Sequence, residues 1–187
     1  EHFPGGMYSL EPLPNVARSQ QMFELWIRPV ERAQAHFALR LALHELEQFV
    51  REGLTQAEFE RTRSFLSKYV NLLLKTKSAE LGYAVDSDFY TIAAYPEYVR
   101  AGLRALTLDD VNTAIQRHLR WDPVTIVMVG QQMAELRERI LANADSPIEY
   151  NSPKSAAIVG EDGGVRRRPI QVAPAGIVVE PVERILA

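Results

Sequence analysis

A chain of 187 residues suffices for one substantial core, or for one domain with a tail. Its 47% apolar and 24% charged residues are ordinary for a globular protein, and a formal charge of −3 gives no electrostatic reason to expect nucleic acid or an anionic membrane as a partner. The absence of cysteine excludes disulfides and thiolate metal sites, and leaves cytoplasm and periplasm equally open as locations.

The chain starts Glu1-His2-Phe3-Pro4, without an initiator methionine or a basic stretch before an apolar one, and reads as cut from a longer chain. Residues 7–11 and 21–27 read as two short strands, paired antiparallel across a loop holding Pro12, Pro14 and Asn15. Pro29 lacks the N–H a ladder needs and ends the second. Residues 33–52 then read as a helix. Leu39, Leu43, Leu46 and Val50 recur at spacings of four, three and four, and Ala42 and Phe49 widen the stripe. Gly53 suits the left-handed residue that ends a helix. Thr55 and Glu58 form a capping box that opens the next one, with Phe59, Thr62, Leu66, Tyr69 or Val70, and Leu73 continuing the stripe. Together the two make a helical hairpin.

Beyond Lys75 the sequence turns polar, and Gly82 weakens a helix by roughly 1 kcal/mol relative to alanine. Residues 79–90 are expected as a continuing or separate helical piece. Pro96 fits the first turn of a helix over 97–106. Thr107, Asp109 and Asp110 start another, which buries Leu108, Val111, Ile115 and Leu119 and ends at Trp121-Asp122-Pro123. Val124-Thr125-Ile126-Val127-Met128-Val129-Gly130 is the strongest strand signal, β-branched and almost wholly apolar. Residues 133–142 read as a last amphipathic helix. From residue 144 onward prolines and glycines accumulate, and short strands are expected at 169–172 and 176–180. The predicted fold is α+β, an antiparallel sheet with helices packed on one face, over residues 1–143, with an extended tail over 144–187. No apolar run approaches the roughly 18 residues of a membrane-spanning helix, so no membrane partner is expected.

The residues that carry chemistry do not assemble into a site. His36 and His44 are eight apart on one helix, about 12 Å of rise, whereas zinc ligands place their nitrogens roughly 2 Å from the metal. His44-Glu45 lacks the second histidine of an H-E-x-x-H or H-x-x-E-H helix. His118 sits near a helix end, and His2 near the chain start. Residues 160–164, Gly-Glu-Asp-Gly-Gly, read as a flexible turn rather than a phosphate cradle. Arg166, Arg167 and Arg168 lack the interleaved aromatics of a nucleic-acid contact and read as a solvated segment. Asp109 and Asp110 are accounted for by capping, while Asp86 and Asp88 have no evident partner. The aromatic group over 83–98 reads as core packing, with a peptide-lining surface as the sharper alternative. No catalytic, cofactor-binding or metal-ligating residue is therefore assigned.

Three stretches carry a family resemblance. Gly53-Leu54-Thr55-Gln56-Ala57-Glu58-Phe59-Glu60-Arg61-Thr62-Arg63 resembles a helix junction of the pitrilysin/insulinase zinc metallopeptidases. Ala105-Leu106-Thr107-Leu108-Asp109-Asp110-Val111 resembles a helix start of that family, and residues 119–130 its closing strand. Such proteins pair homologous α+β domains into two halves around a peptide chamber. An H-x-x-E-H helix and a distal glutamate hold zinc in one half; the other half supplies an arginine and a tyrosine that orient substrate. This chain has no inverted motif, and the Arg/Tyr pair would fall before Glu1. The resemblance thus implies a non-catalytic C-terminal domain, inactive alone, with zinc in the parent's catalytic half. The implied partners are that half and a peptide substrate, not nucleic acid. A homodimer through an exposed sheet edge is a further expectation. The rival expectation is a stand-alone interaction or scaffold domain.

Overall fold

The computed structural model describes residues 23–185. Helix accounts for 61% of these, and no strand or sheet occurs among them. The expected α+β architecture, an antiparallel sheet with helices on one face, is therefore corrected to a helical one. Eight helices follow in order: α1 Ala35–Glu52, α2 Gln56–Leu73, α3 Lys77–Phe89, α4 Tyr95–Ala105, α5 Leu108–His118, α6 Met133–Leu141, α7 Ala156–Val165 and α8 Val182–Ile185. The physical reason for the correction is that a strand is not a local object. Its N–H and C=O groups need a neighbour, and residues 124–130 have no described strand beside them. Of the expected strand at 21–27, only Trp26 makes an isolated bridge, and the residues before Phe23 lie outside the described ones, as does the expected strand at 7–11. Residues 169–172 and 176–180 form no strand either.

The chain divides into two compact units, Gln48–Arg120 and the residues on either side of it. In the flanking unit, the start of α1 is buried all round. Phe37 and Leu41 are 0% and 1% exposed and pack with Val165 of α7 and with Ile148. Burying side chains of that size is worth roughly 1.5–3 kcal/mol each. After Asn143, α7 closes this core. Ser155 caps α7 by accepting from the Ile158 N–H, and the predicted glycine turn at 160–164 lies inside the helix. Packing of Val165 and Asp162 outweighs the glycines' preference for turns.

In the Gln48–Arg120 unit the junctions form as the sequence predicts. Thr55 accepts from the Glu58 N–H at 3.3 Å, and its own N–H donates to Glu58 Oε2 at 2.8 Å. Thr107 and Asp110 repeat the pattern at 3.2 and 2.9 Å. Gly53 has φ +70°, and a Cβ there would meet Asn112 Oδ1 at 2.5 Å. The same amide explains the close approach, since Leu54 N–H donates to Asn112 Oδ1 at 2.8 Å and Asn112 Nδ2 donates to Leu54 O at 3.0 Å. Thr76 caps a separate α3 rather than letting α2 continue. Helix α4 packs against both α2 and α3, and Tyr83 stacks on Tyr95 with centroids 4.4 Å apart.

Candidate interaction surface

Two helix faces of the Gln48–Arg120 unit stand out. On α3, Leu81, Val85 and Phe89 recur every four residues, one above another on the helix, and are 66%, 58% and 77% exposed. On α2, Phe65, Tyr69 and Leu72 form a second exposed stripe, with the Phe65 and Tyr69 rings stacked at 5.3 Å. A single exposed leucine is ordinary; two periodic apolar stripes on one small unit leave an unusual amount of apolar surface in water. Thr76 fixes where the α3 stripe begins, by ending one helix and capping the next. Of the aromatic group expected as core, Tyr83 and Tyr95 are packed while Phe89 and Tyr98 stand out in solvent.

Between α2 and α4 lies a cleft of about 320 Å³, lined by Glu60, Arg63, Ser64, Ser67, Arg100 and Arg104 among others. Arg63 Nη2 donates to both oxygens of Glu60 at 2.8 and 2.6 Å, and Arg100 donates to Asn71 Oδ1. The cleft offers guanidinium and hydroxyl donors. Its only carboxylate is already engaged by Arg63, so it holds no free acid–base pair.

The flanking unit contains a buried polar cluster. Arg40 is wholly buried on α1, where one terminal nitrogen, Nη1, donates to Ala144 O at 2.9 Å, to Ser146 Oγ at 2.9 Å and to Arg166 O. Arg166 in turn grips Asp145, and Arg168 pairs with Glu47. The Asp145 carboxylate is held below its usual range chiefly by that hydrogen bond from Arg166. Arg40 Nε and Nη2, and both ring nitrogens of His36 one turn earlier, are buried without a hydrogen-bond partner among the described residues. Burial, reinforced by the Arg40 and Arg139 charges, pushes the His36 imidazole down to about 4, so it stays neutral. Tyr150 donates to Asp162 at 3.0 Å; burial and that carboxylate push its hydroxyl up to about 12. These contacts hold residues 144–168 onto α1. They form a structural lock, with no nucleophile placed beside a base.

The other residues weighed from sequence stay apart. His44 lies 3.6 Å from Glu161. His118 is exposed at the end of α5, and Asp86 and Asp88 are exposed on α3. His2 lies outside the described residues. Among the described residues no group of three His, Asp or Glu is placed to hold a metal ion, and no helix is long and apolar enough to cross a membrane. Arg166 and Arg168 are engaged by carboxylates rather than forming a solvated run. Sequence reasoning missed Arg40. The available signal was its isolation, as the only formal charge between Arg32 and Glu45 in a mostly apolar run.

Comparison with protein-family models, with curated proteins and with solved structures returned no match.

Proposed function

We propose that this chain is a non-catalytic part of a zinc metallopeptidase of the pitrilysin/insulinase type, and that it docks on the zinc-binding half to complete a peptide chamber. The observation that carries the docking role is the pair of exposed apolar stripes, Leu81/Val85/Phe89 and Phe65/Tyr69/Leu72. Burying them on a partner would stabilise a complex by roughly 25 cal/mol for each Å² removed from water. The identity of the partner rests on the resemblance of the two capped helix starts at Thr55 and Thr107, which fold as capping boxes. It rests on helices and not on the family's sheet. Zinc belongs to the partner in this reading, and peptide is handled by the assembled pair.

The test is co-production with the zinc-binding half encoded in the same reading frame. The two should purify together at equal stoichiometry, and Val85→Lys on the exposed stripe should abolish the association while leaving the helical circular dichroism unchanged. A parent reading frame without any H-x-x-E-H segment removes the peptidase reading. The same stripes then support the second reading, an interaction or scaffold domain without a peptidase role.

A further inference from the structure

In a chain of net charge −3, the cleft between α2 and α4 is locally cationic. Arg63 comes from α2; Arg100 and Arg104 come from α4, where a spacing of four puts both on one face. Glu60 is the only carboxylate lining the cleft, so three guanidiniums against one acid leave a surplus of two positive charges. The fold already positions two of the three. Arg63 is clamped on both Glu60 oxygens, with its Cζ 5.0 Å from the centre of the Phe59 ring. Arg100 donates to the Asn71 amide oxygen, a neutral group that leaves its charge unbalanced. Arg104, Ser64 and Ser67 make no side-chain hydrogen bond or ion pair among the described residues. Donors and positive charge are thus both in surplus.

We propose that this cleft binds a small phosphate monoester, with Arg63, Arg100 and Arg104 around the phosphate oxygens and Ser64 and Ser67 as hydroxyl donors. Charge selects the class. A phosphate monoester carries nearly two negative charges at neutral pH and three strong acceptor oxygens, which balances the cleft. A carboxylate or a sulfate ester, with a single charge, would leave half of the surplus uncompensated. Guanidinium forks match phosphate geometry, and two that are held in advance lose little freedom on binding. Size narrows the class further. About 320 Å³ lies at the lower end of small-molecule sites, room for a phosphate and a small organic group resting on Leu103. The site is independent of the peptidase reading, because Glu60, Arg63 and Ser67 lie about half a turn around α2 from Phe65, Tyr69 and Leu72.

Phenyl phosphate and phenyl sulfate share a shape and differ by one charge, so calorimetric titration of the full chain with each separates phosphate recognition from general anion attraction. Phenyl phosphate should bind once per chain, and phenyl sulfate at least about tenfold more weakly. Arg104→Gln should weaken phenyl phosphate at least about tenfold. Its helical circular dichroism should stay unchanged, because Arg104 has no polar partner in the fold to lose. Arg117→Gln removes an exposed charge on α5 outside the cleft and should change the affinity less than about twofold. Val85→Lys, which breaks docking, should leave phosphate binding intact, so the two readings fail separately. No saturable binding, equal affinity for the sulfate, equal weakening by Arg117→Gln and Arg104→Gln, or binding of a phosphoserine peptide but not of phenyl phosphate would each overturn the proposal.

Discussion

The His36 imidazole makes the buried cluster testable by pH. In the unfolded chain a histidine titrates near 6.5, whereas in the fold burial and the Arg40 charge move it to about 4. Above pH 6.5 both states are neutral and His36 adds no pH dependence. Between 6.5 and 4 the unfolded chain takes up a proton that the folded one refuses, so stability falls as pH falls, by about 1.4 kcal/mol per unit. Below 4 both states are protonated and the slope ends. The cumulative loss is about 3 kcal/mol. The assay is urea unfolding at half-unit pH steps, wild type against His36→Leu. Carboxylates held down in the fold, such as Glu58 beside Thr55, also cost stability on acidification, but they do so equally in both proteins. The difference between the two curves should therefore open below pH 6.5 and flatten near 4. At pH 7 the leucine should be no less stable, since it removes two buried nitrogens that lack partners among the described residues. Parallel curves from pH 7 to 4 would refute the reasoning, because they would mean the imidazole is solvated or paired.

Other outcomes follow from the same geometry. Gly53→Ala should cost about 2 kcal/mol, combining a left-handed φ with displacement of Asn112; adding Asn112→Ala should cost less than the sum of the single changes in denaturant melts. Thr55→Ala should cost about 1 kcal/mol through loss of the α2 cap, read the same way. Arg40→Met strips three acceptors of their shared donor and should cost about 3 kcal/mol. Limited proteolysis of that variant should release fragments cut within residues 144–168. Alkaline ultraviolet titration should show one tyrosine ionising only near pH 12, and Tyr150→Phe should remove it.

What could be read in the sequence was local. Thr55 with Glu58, Thr107 with Asp110, and Pro96 in the first turn of α4 are signals complete within four residues, and each helix starts within two residues of the expected place. Gly53 was legible as a left-handed residue, but the Asn112 amide that crowds it comes from 59 positions later and leaves no local trace. Misread features depend on distant partners. Residues 124–130 carry the composition of a strand, but composition cannot supply the neighbouring backbone. The glycines of α7 suggested a turn, whereas the Ser155 cap and the packing of Val165 on Phe37 and Leu41 favour a helix there. Arg40 drew no reading, because the Ala144, Ser146 and Arg166 oxygens that accept from it lie more than 100 positions away. The α3 stripe of Leu81, Val85 and Phe89 was not read from the sequence, and periodicity alone cannot tell a buried face from an exposed one.

The most direct measurement is cleavage of an internally quenched extended peptide by this chain, by the zinc-binding half of its parent, and by the two mixed at equal concentration with zinc. The account predicts no turnover from the chain alone, and turnover by the mixture well above that of the zinc-binding half alone, lost again with Val85→Lys. Turnover by the chain alone, or a mixture no faster than the zinc-binding half, would contradict it.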